Sequence, residues 1–123
     1  LMVRQYRNAV DRLTLEIPAG GKNGAEEPPY DCAMRELEEE TGYRTEKLEP
    51  LIEIYTTFAF CNEKISIFLA ENLIPSHQNL DEDECIDIEA YSVEELTEMI
   101  LDGTIMDSKT VSAILAYKAK YKK

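Results

Sequence analysis

The chain has 123 residues, 44% of them hydrophobic, and a formal net charge of −12 at pH 7. This length and composition suit a single globular domain, residues 1–123, with one core. The negative charge argues against a nucleic-acid partner, whose phosphates require basic patches, and no apolar run reaches membrane-spanning length. Three cysteines without a CxxC pair, and no visible signal peptide, predict free thiols in the cytoplasm.

Two strands are predicted at the start of the chain. Residues 1–7 begin as if in the middle of a strand, so we expect further strands upstream of them. Residues 12–17 alternate between polar and apolar side chains like a half-buried strand, after a turn at residues 8–11. The segment Pro18-Ala19-Gly20-Gly21 ends this second strand.

A short helix is predicted after this loop. Pro28 and Pro29 suit a helix start, where a missing N–H costs nothing. Gly42 suits the position just after the last turn. The spacing i, i+3, i+4, i+7 predicts a buried helical face. The residues of this face are Tyr30, Ala33, Met34 and Leu37.

Glutamates cluster in the last turns of this helix. Glu36, Glu39 and Glu40 share one side of it, whereas Arg35 is expected to point elsewhere. The arrangement is locally unfavourable, because Glu36 and Glu40 are like charges at i, i+4 near the negative end of the helix dipole. A bound cation would offset this repulsion, and carboxylates without His or Cys favour Mg²⁺ or Mn²⁺. A solvated acidic face explains these residues equally well when they are considered alone.

Two more strands and a connection between them are predicted next. Residues 48–57 and 64–70 have strand character, and the second segment is apolar enough to be a central strand. A hairpin-like connection joins them, and a short strand follows at residues 86–91.

Two helices are predicted at the end of the chain. Ser92 and Glu95 form a capping box, which starts a helix that runs to about Leu101. Asp107 or Ser108 caps the last helix. Its inward-facing stripe consists of Val111, Ile114 and Leu115. The order of strands, helix, strands and helices indicates an α+β layered domain.

The first helix and the loop before it carry a known motif. Gly21, Glu27 and the run from Arg35 to Tyr43 resemble the Nudix box, GX5EX7REUXEEXGU, in which U is a bulky aliphatic residue. Every fixed position is met, including Gly42, and only Tyr43 departs from the pattern. The resemblance implies an α/β/α sandwich on a mixed β-sheet and hydrolysis of a nucleoside diphosphate linked to another moiety.

The resemblance also implies a metal site. Glu36 and Glu40, with Glu39 beside them, are implied to hold Mg²⁺, with Mn²⁺ as a possible replacement. Such ions neutralise phosphate charge and lower the pKa of a bound water. A backbone carbonyl just before the box glycine is implied as a further ligand, and either Ala19 or Gly20 occupies that place.

One arginine of the box has an implied structural role. Arg35 is expected to pair with Glu27 or with a neighbouring carboxylate of the motif, and so to hold the loop against the helix.

A general base must take the proton of the attacking water, and several carboxylates are candidates. Glu39 is one of them. The acidic run at residues 80–84 resembles the loop that supplies the base in ADP-ribose pyrophosphatases when it closes. On that comparison Glu82 is the base and Glu84 a second, metal-proximal residue, while Glu63 matches another active-site glutamate. Without the resemblance, the run is a solvated turn and Glu63 an ordinary charged hairpin residue.

Segments outside the box resemble the same subfamily. Residues 3–7, VRQYR, are similar to a strand whose last arginine contacts substrate, and arginine suits bidentate binding of phosphate. Taken alone, Arg7 is equally well a solvent-exposed arginine at a strand end. Residues 15–20 and 102–110 are similar to two further subfamily segments, so the resemblance covers essentially the whole chain.

One position departs from the subfamily. Phe58 stands where ADP-ribose pyrophosphatases usually carry a proline. The first hypothesis is cleavage of ADP-ribose to AMP and ribose 5-phosphate, and a GDP- or UDP-sugar is the alternative substrate. A non-catalytic ADP-ribose sensor and a plain acidic interaction domain are hypotheses of a different class. The resemblance also implies a homodimer formed with the help of N-terminal strands that are not found in these residues.

Overall fold

The computed structural model describes residues 1–22, 24, 26–82 and 84–121, and its elements follow the predicted order. The strands are β1 (Met2–Arg7), β2 (Arg12–Glu16), β3 (Tyr43–Arg44), β4 (Leu48–Tyr55), β5 (Lys64–Ala70), β6 (Ile74–Pro75) and β7 (Asp87–Glu89). The helices are α1 (Pro29–Thr41), α2 (Val93–Leu101) and α3 (Ser108–Tyr121). Strands and helices follow one another in runs along the chain, with five strands between α1 and α2, which confirms the α+β class.

The first strand is the middle strand of a three-stranded sheet. β1 pairs antiparallel with β2, from Val3 opposite Glu16 to Arg7 opposite Arg12, and β7 pairs with its other edge. Met2 and Val3 are buried at the start of β1, whereas Arg7 at its end is exposed. The strand therefore runs from the core toward the solvent. The buried residues of the core beside it are Met2, Leu15, Leu96, Ile105 and Ile114.

The second hairpin differs in one respect from the prediction. β4 and β5 pair antiparallel from Leu48 opposite Ala70 to Tyr55 opposite Lys64. β5 was expected to be central, but in the described residues it pairs with β4 alone. Phe68 of this strand packs edge-on against Tyr30 of α1, at 5.8 Å between ring centroids. The remaining apolar residues of β5 line a cavity.

The strand pairs that the described residues form all have the same relative direction. Every strand pair registered in the described part of the chain is antiparallel: β1 with β2, β1 with β7, β3 with β6, and β4 with β5. Hairpins joined by short turns can form only antiparallel pairs, and two of these four pairs are such hairpins.

Helix α1 begins after Pro28 and ends at Gly42, as predicted, but it buries a different face. Gly42 has a φ of 75°, in the left-handed region that glycine tolerates. The predicted apolar face is only partly covered, and Tyr30 is 37% exposed. The buried residues of the helix are Cys32, Glu40 and Thr41. Cys32, Glu36 and Glu40 recur every fourth residue, and this stripe faces the loop that follows β2, where Ala19 and Gly20 contact all three side chains.

Helices α2 and α3 close the core at the other side of the three-stranded sheet. The Ser92–Glu95 capping box is present in full. Asp107 caps α3, because its carboxylate accepts hydrogen bonds from the Thr110 N–H at 3.3 Å and hydroxyl at 2.5 Å. Leu115, which was expected inside, is 42% exposed. The residues that α3 buries are Thr110, Ala113 and Ile114.

None of the helices in the described residues has the length and apolar character needed to cross a bilayer.

Candidate active site

A large open cavity of about 1360 Å³ lies between α1, the β1–β2 hairpin, β5 and the loop before β7. Most of the predicted site residues meet at its wall. Those that line it are Arg7, Ala19, Gly20, Gly21, Glu36, Glu39, Glu40, Glu63 and Glu84. Glu82 is exposed and is not part of the cavity wall. Of the acidic run at residues 80–84, Asp83 lies outside the described residues.

Arg35 binds three carboxylates and does not point away from the glutamates as was expected. Its Nε and Nη2 donate to both Glu27 oxygens at 3.2 and 2.9 Å. Its Nη1 donates to Glu36 at 2.7 Å and to Glu39 at 3.1 Å. Nη2 also donates to the carbonyl of Gly21 at 3.1 Å. A long guanidinium with five donors can turn back along its own helix toward the negative charge, so Arg35 ties the loop to α1.

Glu40 is a buried carboxylate at the end of α1. Only 7% of the residue is exposed, and its Oε2 accepts a hydrogen bond from the Ala19 N–H at 3.0 Å. Burial raises the pKa of Glu40 to about 7, and repulsion from Glu36 and Glu84 adds to this increase, while the Ala19 N–H opposes it. The fold therefore holds Glu40 where its charge is costly.

Glu36 lies in an electrostatic environment similar to that of Glu40. Burial raises the pKa of Glu36 above its ordinary value in spite of Arg35, and repulsion from Glu39 and Glu84 acts in the same direction. Glu36, Glu40 and Glu84 therefore form a group of mutually repelling carboxylates at one end of the cavity. Such a group at the C-terminal end of a helix is stabilised by a positive ion.

The backbone at Gly20 lies against this group. A Cβ at this position would overlap with Cδ and Oε2 of Glu36, far inside van der Waals distance, whereas a Cβ at Gly21 would meet nothing within 4 Å. The Gly20 carbonyl accepts the thiol of Cys32 at 3.7 Å. Residues 19 and 20 therefore bring main-chain atoms next to both Glu36 and Glu40.

The donor atoms of this end of the cavity suit a hard divalent cation. Carboxylate and carbonyl oxygens are the ligands that Mg²⁺ and Mn²⁺ prefer, and there is no histidine or reactive thiolate in the set. In the part of the chain that the structure describes, no three acidic, histidine or cysteine side chains already stand together at ligand distances. The set fits Mg²⁺ in chemistry and in charge, but the side chains are not assembled for ligation.

The loop before β7 is fastened to the end of α1. The Ser76 N–H donates to the Gly42 carbonyl at 2.7 Å, and the Asn79 N–H to the Glu39 carbonyl at 2.8 Å. The Gln78 side-chain amide donates to the Glu40 carbonyl at 2.7 Å. These bonds satisfy the last carbonyls of the helix, which have no partner within it. They also place the following segment, with Glu84, beside the glutamates of α1.

A charged network of residues from β1, β2 and the start of α3 was not predicted. The carboxylate of Glu16 is 3% exposed and accepts hydrogen bonds from Arg7 Nε and Nη2 at 2.8 and 2.9 Å. Lys109 Nζ donates to Glu16 and to Asp107, both at 2.8 Å, and the hydroxyl of Thr14 donates to Glu16 at 2.6 Å. Burial alone would raise the pKa of Glu16, but the donors of Arg7, Lys109 and Thr14 lower it to about 2.

A signal for this network was present in the sequence. Glu16 and Lys109 lie in the two outer segments that resemble the subfamily, but neither residue was given a role. Glu16 belongs to the polar face of the alternating strand, so the periodicity by itself does not predict its burial, and its partner Lys109 is 93 residues away in sequence.

Three comparisons with known proteins agree on the type of domain. A family model described as the NUDIX domain matches residues 1–112. The chain is 40% identical over 116 residues to an ADP-ribose pyrophosphatase of Bacillus subtilis (strain 168), covering 93% of this chain and 62% of the relative. It is 34% identical over 120 residues to a GDP-mannose pyrophosphatase of Cronobacter sakazakii (strain ATCC BAA-894), covering 90% of this chain and 62% of that relative.

A solved structure shares the fold. The crystal structure of an ADP compounds hydrolase superposes with a TM-score of 0.87 at 23% identity, over 98% of this chain and 65% of that one. The chain spans 62% of the length of each of the two relatives named above.

Proposed function

Since the chain belongs to the NUDIX domain family, we propose that it hydrolyses the diphosphate of a nucleotide sugar, with ADP-ribose as substrate and AMP and ribose 5-phosphate as products. The observation that supports this most is the group of repelling carboxylates, Glu36, Glu40 and Glu84, at one end of a cavity that holds Arg7 at another wall. A diphosphate carries negative charge, so it fits this cavity only with cations between it and the carboxylates.

The residues have separate tasks in this proposal. Glu36, Glu40 and Glu84, with a carbonyl of residue 19 or 20, hold Mg²⁺ or Mn²⁺. When bound, the ion neutralises phosphate charge and lowers the pKa of water. Arg35 keeps the loop and the glutamates in place, and Arg7 binds a phosphate oxygen.

Three carboxylates remain candidates for the general base. Glu39 is near the group, but its Oε2 accepts a hydrogen bond from Arg35 Nη1 at 3.1 Å. Glu63 is exposed at the cavity wall. Glu82 is exposed outside the wall and reaches substrate only if its loop closes. We propose Glu82 or Glu39 as the base and Glu63 as a substrate contact. Measuring the pH dependence of kcat for Glu82→Gln, Glu39→Gln and Glu63→Gln separates them. Only the variant that lacks the base should have a low kcat that no longer rises with pH.

The proposed function is tested by incubating the full-length protein with ADP-ribose and Mg²⁺ and measuring AMP. We expect AMP release that stops when EDTA is added. Glu40→Gln keeps the size of the side chain but removes a charge, and should lower kcat/KM about a hundredfold or more, in line with the loss of a metal-site group. Glu98→Gln is the matched control, because Glu98 is exposed on α2. Unchanged turnover in Glu40→Gln would contradict the assigned metal site.

A GDP- or UDP-sugar is the second candidate substrate. Phe58, which stands in place of the subfamily proline, is 84% exposed beside the ring of Tyr55, at 5.2 Å between centroids. A GDP-mannose pyrophosphatase is also among the relatives. A panel of ADP-ribose, GDP-mannose and a UDP-sugar, with products identified, decides between them. Binding of ADP-ribose without any turnover would instead support a non-catalytic sensor.

We also propose that the full-length protein is a cytoplasmic homodimer. Cys32, Cys61 and Cys85 are free thiols, which suits a reducing compartment. Light scattering of the full-length protein tests the dimer, and a monomeric mass at micromolar concentration would contradict it.

A further inference from the structure

Four charged side chains form a chain of ion pairs between the first hairpin and the start of α3. This network, the Arg7 clamp, consists of Arg7, Glu16, Asp107 and Lys109. It joins elements that are far apart in sequence, and it lies at the wall of the cavity, where Arg7, Asp107 and Lys109 are all lining residues. The proposed function uses only Arg7, so the other three members have no role in it.

The charges of the Arg7 clamp cancel. Two cations face two carboxylates, so the network as a whole offers no surplus positive charge to an anion. Lys109 has 14% of its side chain exposed, and its ammonium already donates to Glu16 and Asp107, both at 2.8 Å. A phosphate would have to displace a buried carboxylate to reach it. Lys109 is therefore not a phosphate ligand in this arrangement.

Arg7 differs from Lys109 because the Nη1 edge of its guanidinium stays available. Its side chain is 47% exposed, and Glu16 occupies the edge formed by Nε and Nη2. None of the hydrogen bonds that Arg7 forms among the described residues uses Nη1. A guanidinium has five N–H groups in a rigid plane, so fixing one edge also fixes the direction of the other. The carboxylate of Glu40, at the metal end of the cavity, is close enough to act on the charge of Arg7.

The second carboxylate oxygen of Glu16 also has a defined partner. Oε1 accepts from Arg7 and from Lys109, and Oε2 accepts from Arg7 and Thr14. Lys109 is itself held by Asp107, the residue that caps α3. The orientation of Glu16, and through it of Arg7, therefore depends on where α3 begins.

We propose that Glu16 and Lys109 are positioning residues, which hold Arg7 so that its free Nη1 edge binds the diphosphate of the substrate. This inference rests on the proposed function, because it assigns the support for one of its substrate contacts. It predicts that Lys109 affects substrate binding although it does not touch substrate.

The test is a double-mutant cycle in the full-length protein. Lys109→Met removes the charge and keeps much of the stem. We expect it to raise KM about tenfold with kcat nearly unchanged, because a contact made equally in the ground state and the transition state affects KM alone. Lys109→Arg, which keeps the charge, should have a KM close to that of the wild type. In an Arg7→Ala background, which has a raised KM of its own, Lys109→Met should raise KM no further.

A purely structural role gives different results. If Lys109 only stabilised the fold, Lys109→Met would lower the melting temperature and the active fraction without the KM effect, and its effects would persist in the Arg7→Ala background. Either result overturns the proposal. Lys118→Met on the same helix is the matched control, because Lys118 is exposed, and it should leave KM unchanged.

Failure of the clamp can be told apart from failure of the proposed function. If the wild type is active and the effects of Lys109→Met and Arg7→Ala on KM are additive, the proposed role of the Arg7 clamp is wrong, while the proposed function stands. If the wild type turns over none of the three nucleotide sugars, the proposed function fails. The same cycle is then measured by calorimetric binding of ADP-ribose to the wild type, the two single variants and the double variant. Non-additive loss of binding would then support the clamp, and additive loss or no binding at all would overturn it.

Discussion

Three positions in this protein depend on the charge or the size of a single residue. Glu16 is buried and ionised because three donors surround it. Glu40 is buried with one main-chain donor, and repulsion keeps its pKa high. Gly20 has no side chain, because the carboxylate of Glu36 fills that space. Two buried carboxylates thus have opposite pKa shifts: Glu16 is held in a network of ion pairs, and Glu40 is suited to a metal ion.

At the residue scale, Glu16 makes stability depend on acid pH. Its pKa is lowered from 4.5 to about 2 in the fold, so its contribution to stability is fully present above the unfolded value of 4.5 and is lost as pH falls toward 2. Glu16→Gln cannot ionise. We expect it to be less stable than the wild type at pH 6 and to show a smaller loss of stability between pH 5 and pH 2.5. Urea unfolding at these pH values measures this, and parallel curves for the two proteins would contradict it.

Gly20→Ala tests the close approach of the backbone to Glu36. The new methyl must displace the flexible end of Glu36, so the fold should survive with a small change in melting temperature while kcat/KM falls about tenfold or more. Gly21→Ala is the control, since its methyl would meet open space, and it should stay close to wild-type activity. Equal activity of the two variants would show that the contact with Glu36 has no bearing on the site.

Among the elements, α1 is the one whose end is stabilised from outside. Acidic residues at a helix C-terminus oppose the helix dipole, and this helix has no basic residue in its last turn. Its last carbonyls instead accept hydrogen bonds from Ser76, Gln78 and Asn79. The same bonds set the position of the acidic loop, so the helix end and the loop depend on each other.

The element scale gives a prediction for this loop. Gln78→Ala removes the side-chain donor to the Glu40 carbonyl and should cost about 1 kcal/mol of stability. It should also lower kcat several-fold, because the segment with Glu84 loses one attachment to α1. Asn79→Ala keeps the bond from its main-chain N–H to Glu39, so it should behave like the wild type. If both variants lose kcat equally, the Gln78 bond is not what holds the loop.

For the whole molecule, the balance of charge is the dominant property. A net charge of −12 repels an anionic substrate, and the repelling carboxylates lie inside the cavity where the substrate would bind. A divalent cation reduces both repulsions at once. Metal binding and stability should therefore be linked, since an ion that binds only the native state raises its stability by mass action.

This linkage predicts a pH-dependent effect of Mg²⁺ on melting. Glu40 has a pKa raised to about 7, and a carboxylate ligand must lose its proton before it binds metal. We expect Mg²⁺ to raise the melting temperature more at pH 8 than at pH 5.5. At a hundredfold excess over its Kd, Mg²⁺ should raise the free energy of unfolding by about 2.7 kcal/mol. Glu40→Gln should lose most of this increase. A melting temperature that does not respond to Mg²⁺ at either pH would contradict the metal site.

The longer elements of the fold were predictable from local chemistry, whereas the two-residue strands β3 and β6 were not predicted. Prolines, a glycine C-cap and a capping box define where α1 and α2 begin or end, and these signals act within a few residues. The glutamate cluster and the box spacing were also visible, because the chemistry of the motif lies in one continuous stretch. The prediction of which face of α1 is buried was wrong. The side of a short helix that is covered depends on what packs against it, and here the loop after β2 covers the Glu40 side.

The sequence by itself determined the order of elements, the family and the acidic group, because each depends on residues close together in the chain. Tertiary structure alone decided that β5 has one strand partner in the described residues and that Glu16 meets Lys109. Those outcomes depend on distances between segments far apart in sequence. Electrostatic attraction acts through space, so a charged residue's partner is fixed only when the chain has folded.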